Sequence, residues 1–184
     1  MLHSPFLDNR IGCYILCEMA RRLDVNESVN VILGATCCEE MGGFGARVLA
    51  GSVCPDAVIC IDTTYEAPAQ DVTLGNGPVL TISDASVLLA PEVRDGFIRH
   101  FTESGQPLQT EVYNYSGTDA RAFPYSGLTA DVVSLLVATG NNHTPRETAA
   151  INDLEALCSG LQLLSSVKSF RSIFPYASVS YEQK

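Results

Sequence analysis

Residues 132–138 read Val-Val-Ser-Leu-Leu-Val-Ala, with one polar side chain in seven. A strand with one wet face would alternate apolar and polar residues, so this run predicts a strand buried on both faces. A sheet built from such strands needs a layer of helices on each side. The rest of the chain supplies both parts. Val29–Ala35 and Ala57–Ile61 are further short apolar, β-branched runs. Val72–Leu74 and Val79–Ser83 read as extended pieces either side of a Gly75-Asn-Gly-Pro78 turn, and Leu108–Tyr113 alternates like a half-buried strand. Between them lie helical periods. Arg10–Leu23 places Ile11, Ile15 and Met19 on one stripe, with Asp8 or Asn9 able to cap its start. Pro91–Glu103 aligns Val93, Phe97 and Phe101 and puts His100 on its polar side. Asn152-Asp-Leu-Glu155 resembles a capping box before a last helix whose Leu154, Leu157, Cys158 and Leu161 face inward. The pattern predicts an α/β fold, three layers α/β/α with a mainly parallel central sheet.

At 184 residues the chain suffices for one domain with a sizeable core. Residues 1–169 read as that domain and 170–184 as a polar C-terminal tail without clear period. Twenty-one acids against eleven bases give a net charge of -10, which argues against a nucleic-acid partner. Seven cysteines form no Cys-x-x-Cys pair, so they read as free thiols, most of them small core hydrophobes. No basic-then-apolar leader and no apolar run near about eighteen residues is found, so no membrane partner is expected and the location reads as cytoplasmic.

Glu39 and Glu40 stand side by side just past an apolar run. Adjacent anions repel, and beside apolar segments they are costly unless a cation or proton compensates them. Asp8, Asp62 and His143 also lie at the ends of apolar segments, and in parallel sheets ligands bind beyond the carboxyl ends of strands. Each residue has an ordinary reading: Asp8 as a helix cap, Asp62 as a turn residue, His143 as a loop histidine, the Glu pair as a solvated loop. Five coincidences at one sheet edge are better explained by one shared site. Carboxylates with one imidazole suit Zn²⁺, Mn²⁺ or Co²⁺. Such ions acidify a bound water, and an extra carboxylate that is not a ligand then takes its proton. A glycosidase reading fails, because the set does not leave two free carboxylates to act as acid and base.

Six motifs occur in the order and approximate spacing of one family: Leu7-Asp-Asn-Arg-Ile-Gly12, Cys38-Glu-Glu-Met-Gly-Gly43, Cys60-Ile-Asp62, Leu74-Gly-Asn-Gly-Pro78, Ser116-Gly-Thr-Asp-Ala120 and His143-Thr-Pro145. Over roughly residues 2–164 the chain resembles the M42 metallo-aminopeptidases, which include glutamyl aminopeptidases and tetrahedral peptidases. The resemblance implies a zinc-dependent enzyme acting on peptides, with two metal ions in the full site. It makes Glu39 the general base and Asp8 the bridge between metals, with Glu40 and His143 completing one site and Asp62 serving the other. It makes Asp119 a residue that shapes the pocket. The family's His-x-Asp ligand motif, upstream of a dimerisation domain, has no counterpart here. By this resemblance the chain is the C-terminal part of a catalytic domain, its sheet incomplete. One metal of the two is expected to bind, and a homo-oligomer, or association with a chain supplying the N-terminal part, is implied.

Overall fold

The computed structural model describes residues 1–23, 29–165, 167–175 and 177. A six-stranded sheet comprises β1 (Leu2–Ser4), β2 (Ala57–Tyr65), β3 (Val79–Asp84), β4 (Gln109–Tyr113), β5 (Asp131–Gly140) and β6 (Glu147–Ala149). Strand β5 is its spine. One edge pairs in parallel with β2 over nine residues, Ala57 opposite Asp131 through Tyr65 opposite Thr139. The other edge is shared: β3 pairs antiparallel at Leu135 and Leu136, and β6 antiparallel at Thr139 and Gly140. Strand β4 adds to β3 in parallel, and β1 adds to β6 antiparallel. The two longest ladders are therefore parallel, and the short joints between them make the sheet mixed.

Alternation along β5 explains the layering. Val133, Leu135 and Val137 point to one face, where they pack with Ile11 and Ile15 of α1 (Leu7–Arg22), Phe97 and Phe101 of α3 (Pro91–Glu103), Leu154 and Leu157 of α5 (Ile151–Leu164), and Ile173 of α6 (Val167–Ile173). On the opposite face Val132 meets Ala46 and Ala50 of α2 (Phe44–Ala50) and Phe123 of α4 (Ala122–Tyr125), while Leu136 and Ala138 meet Val72 and Val79. These are the three layers expected from an unalternating strand.

Several local expectations change. Val29–Ala35 forms neither strand nor helix, and Val31, Ile32 and Leu33 are 46%, 62% and 40% exposed. A strand exists only as a pairing, and no described strand lies against this run. His100 is buried, not polar-facing, because its Nε2 meets the Gly160 carbonyl at 2.9 Å where α3 crosses α5. Asn152 and Glu155 do not build a capping box, because α5 already starts at Ile151 and its N-cap is Ala150. Asp153, between them, is fully buried and accepts hydrogen bonds from the N–H groups of Gly75 (2.8 Å) and Gly77 (2.7 Å), tying α5 to the turn before β3. Gly77 is required in that turn: its φ is +99°, and a Cβ would stand 2.7 Å from the Pro107 carbonyl oxygen. The tail assigned to residues 170–184 is displaced, since Phe170 lies in α6 and Ile173 and Phe174 are buried in the core; residues 178–184 lie outside the described set. Five cysteines are exposed and only Cys158 is fully buried, so the thiols do not fill the core. No described helix is long and apolar enough to cross a membrane.

Glu111 of β4 is buried between the hydroxyls of Thr64 and Thr81, which donate to it at 2.7 and 2.9 Å. Burial nevertheless pushes its carboxyl above the usual range, as it does for Asp84, Asp131 and Asp153. A carboxyl with a folded pKa above its unfolded one holds its proton longer in the native state. Its contribution to stability is complete below the unfolded value of about 4.3 and is lost as pH rises through the raised one. Glu111→Gln removes that titration. The difference in melting temperature between variant and wild type is therefore expected to move in the variant's favour from about pH 4 toward neutrality. A difference that stays constant with pH would contradict this.

Candidate metal centre

Three segments far apart in sequence meet beyond the carboxyl end of β5. Asp8 follows β1 at the start of α1, where its φ and ψ of −80° and 109° are not helical; the Asp8–Asn9 peptide is cis. The Asn9 side chain accepts from Gly12 N–H at 2.8 Å and donates to the Ile61 carbonyl at 2.9 Å, which both caps the helix and fastens it to β2. Glu40 lies in the turn before α2. His143 lies in the β5–β6 connection with a left-handed φ of +60°. For a residue with a Cβ this conformation costs on the order of 1–3 kcal/mol and persists only where its surroundings enforce it.

Asp8, Glu40 and His143 offer ligand atoms that all lie within 4.8 Å of one another. His143 Nε2 is 3.0 Å from Asp8 Oδ2 and 3.3 Å from Glu40 Oε1. Two carboxylates around one imidazole are hard and borderline donors of the kind that hold zinc, manganese or cobalt, so the set fits a divalent ion. Glu39 stands apart from this trio. Its Oε1 accepts from Arg121 Nη2 at 3.3 Å, and burial together with the Glu40 charge pushes its carboxyl upward against the pull of that guanidinium. Asp62, on β2, is also outside the trio, and its Oδ1 accepts from Thr63 N–H. Burial pushes Asp62 up to about 8, the charges of Asp8, Glu39 and Asp119 adding to the effect. Asp119 is buried, its Oδ2 accepting from Thr36 at 2.6 Å and its Oδ1 left without a partner. Gly43 makes room for it: a Cβ there would fall 2.8 Å from that Oδ1.

These side chains border a cleft of about 910 Å³. Every residue from Ala57 to Tyr65 lines it, although successive side chains of β2 point to opposite faces. Only an edge exposes both faces, so the cleft runs along the side of β2 that no described strand pairs. Two participants escaped the sequence reading. Arg121 sits two residues past Asp119 in the Gly-Thr-Asp segment, and Glu147 sits four residues after His143, where its spacing from the histidine was the available signal. Glu147 is buried, and its oxygens accept from Asp8 N–H and His143 N–H.

A model of the M42 glutamyl aminopeptidase family matches residues 1–159. The lysyl aminopeptidase of Pyrococcus furiosus is 28% identical over 158 residues, covering 83% of this chain and 44% of that protein. The glutamyl aminopeptidase of Lactococcus lactis is 32% identical over 127 residues, covering 65% of this chain and 34% of that one. The TET1 peptidase of Pyrococcus horikoshii superposes with a TM-score of 0.81 at 30% identity, over 90% of this chain and 50% of the other. A TET aminopeptidase from a marine-sediment thaumarchaeon gives 0.87 at 23% identity, over 95% and 51%, a likeness of fold. The chain spans about half the length of the relatives it matches. Its layered sheet is thus of the α/β class found in aminopeptidases. Within that class, the chain belongs to the M42 glutamyl aminopeptidase family.

Proposed function

We propose that this chain carries a metal site of an aminopeptidase that releases N-terminal residues from peptides. The convergence of Asp8, Glu40 and His143 within 4.8 Å, with Glu39 beside them but outside, is the observation that supports it. Asp8, Glu40 and His143 would hold one divalent ion, and Asp8 with Asp62 would serve a second, zinc being the first choice and cobalt or manganese suiting the same donors. When bound, such ions polarise a carbonyl and bring the pKa of a shared water toward about 7. Glu39, beside the ligand trio but outside it, would be the group that takes the water's proton and returns it to the departing amine. Arg121 holds Glu39 in place. The cleft along β2 receives the peptide, and the protein works in the cytoplasm.

The test is hydrolysis of a panel of aminoacyl peptides by the zinc- or cobalt-loaded protein, against the same peptides with acetylated N-termini. Release from free termini only is expected. Cleavage of both sets, or activity untouched by a chelator, would refute the reading.

The unpaired edge of β2 favours a second reading, in which the chain is a non-catalytic or assembly subunit until a separate polypeptide segment seats along that edge. That segment would complete the sheet and the environment of Asp62. Self-association into a homo-oligomer is the other way to cover the edge. Activity that appears only on mixing with the N-terminal half of a family member distinguishes the two readings.

A further inference from the structure

Glu147 is the first residue of β6 and is 2% exposed. Its two carboxylate oxygens are divided between two candidate ligands: Oε2 accepts from Asp8 N–H at 3.0 Å, Oε1 from His143 N–H at 2.8 Å. The sheet delivers both donors. Ser4 of β1 pairs with Glu147 itself, so Asp8 arrives one short turn later; His143 precedes Glu147 in the β5–β6 connection. Both residues it grips have irregular backbones, Asp8 being non-helical at a helix start and His143 left-handed.

We propose that Glu147 is the positioning residue of the metal centre, a buried clamp that fixes the spacing between Asp8 and His143. The role requires a carboxylate. Two N–H donors converge on one side chain, and only a carboxylate offers an acceptor oxygen to each. Glutamine keeps the volume but turns an NH₂ group toward one of the donors. That end is then repelled, and one ligand loses its tether. The buried charge is tolerable because both oxygens are hydrogen-bonded. The proposal rests on the metal reading above, since it assigns Glu147 to the same centre.

The experiment compares wild type with Glu147→Gln and Glu147→Asp by zinc calorimetry and by amide hydrogen exchange of the metal-free protein. In the wild type without metal, the Asp8 and His143 amides are expected to be protected. In Glu147→Gln at least one of them exchanges faster, and zinc binds about 10- to 100-fold more weakly, as for other groups that orient metal ligands. Glu147→Asp keeps two acceptors and recovers part of the affinity. Unchanged zinc affinity in Glu147→Gln overturns the proposal while leaving the metal reading intact. A wild type that binds no zinc overturns the metal reading itself. If Glu147→Gln does not fold, wild-type exchange decides: Asp8 and His143 amides exchanging at the rate of an open chain remove the clamp.

Discussion

Glu39→Gln is expected to lower peptide hydrolysis by roughly 10²- to 10⁴-fold, the span of a lost general base, while zinc affinity changes less than about threefold. The two readouts separate because the geometry does. Glu40 stands 3.3 Å from His143 Nε2 inside the ligand trio, whereas Glu39 faces Arg121. Glutamine preserves shape and still accepts from the guanidinium, but it cannot take a proton. A loss of metal binding equal to the loss of rate would make Glu39 a ligand, and retained turnover would end its role as base. The comparison belongs in whichever preparation hydrolyses free-terminus peptides, the chain alone or the chain mixed with the N-terminal half of a relative.

His143→Ala and Glu40→Ala act on the other side of that division. Each removes one of three donors from a centre with no redundancy among the described residues, so zinc should bind at least about a hundredfold more weakly, beyond the 10- to 100-fold typical of groups that only orient ligands. Thermal melting gives a clean readout. A ligand present at a hundred times its Kd stabilises the fold by about 2.7 kcal/mol, and the zinc-induced rise in melting temperature should shrink toward zero in both variants. Without metal both should melt close to wild type, because the His143 and Glu40 side chains are more than half exposed and fill no core. A full zinc-induced rise in either variant would move the centre elsewhere.

Patterns that depend only on neighbours in sequence were legible. Helix α3 starts and ends where its Pro91 and apolar stripe place it, and β5 is buried on both faces as its composition requires. Val29–Ala35 is also apolar and partly β-branched yet forms no strand, because pairing depends on what lies beside a run. The buried polar groups form the other illegible class. His100, Glu111, Asp153 and Glu147 each find a partner 30 or more positions away, and a single sequence does not announce such partners. At the candidate site, Asp8, Glu40 and His143 were recognisable because each ends an apolar segment. That Asp62 stays outside their cluster, and that Arg121 turns Glu39 aside, follow from three-dimensional packing alone.

The divided edge of β5 carries an evolutionary consequence. Every candidate ligand, with its clamp, hangs from β1, β2, the β5–β6 connection, β6 or the turn before α2, and none from the β3–α3–β4 unit, whose backbone pairs with β5 at Val79 and Leu80. That unit can drift, lengthen or be exchanged between relatives so long as this two-residue seam, the Asp153 tether, the Glu111–Thr64 and His100–Gly160 hydrogen bonds and the core contacts of Phe97 and Phe101 survive. Sequence divergence in the family should therefore concentrate there, and grafts of β3–α3–β4 from distant relatives should leave zinc affinity intact.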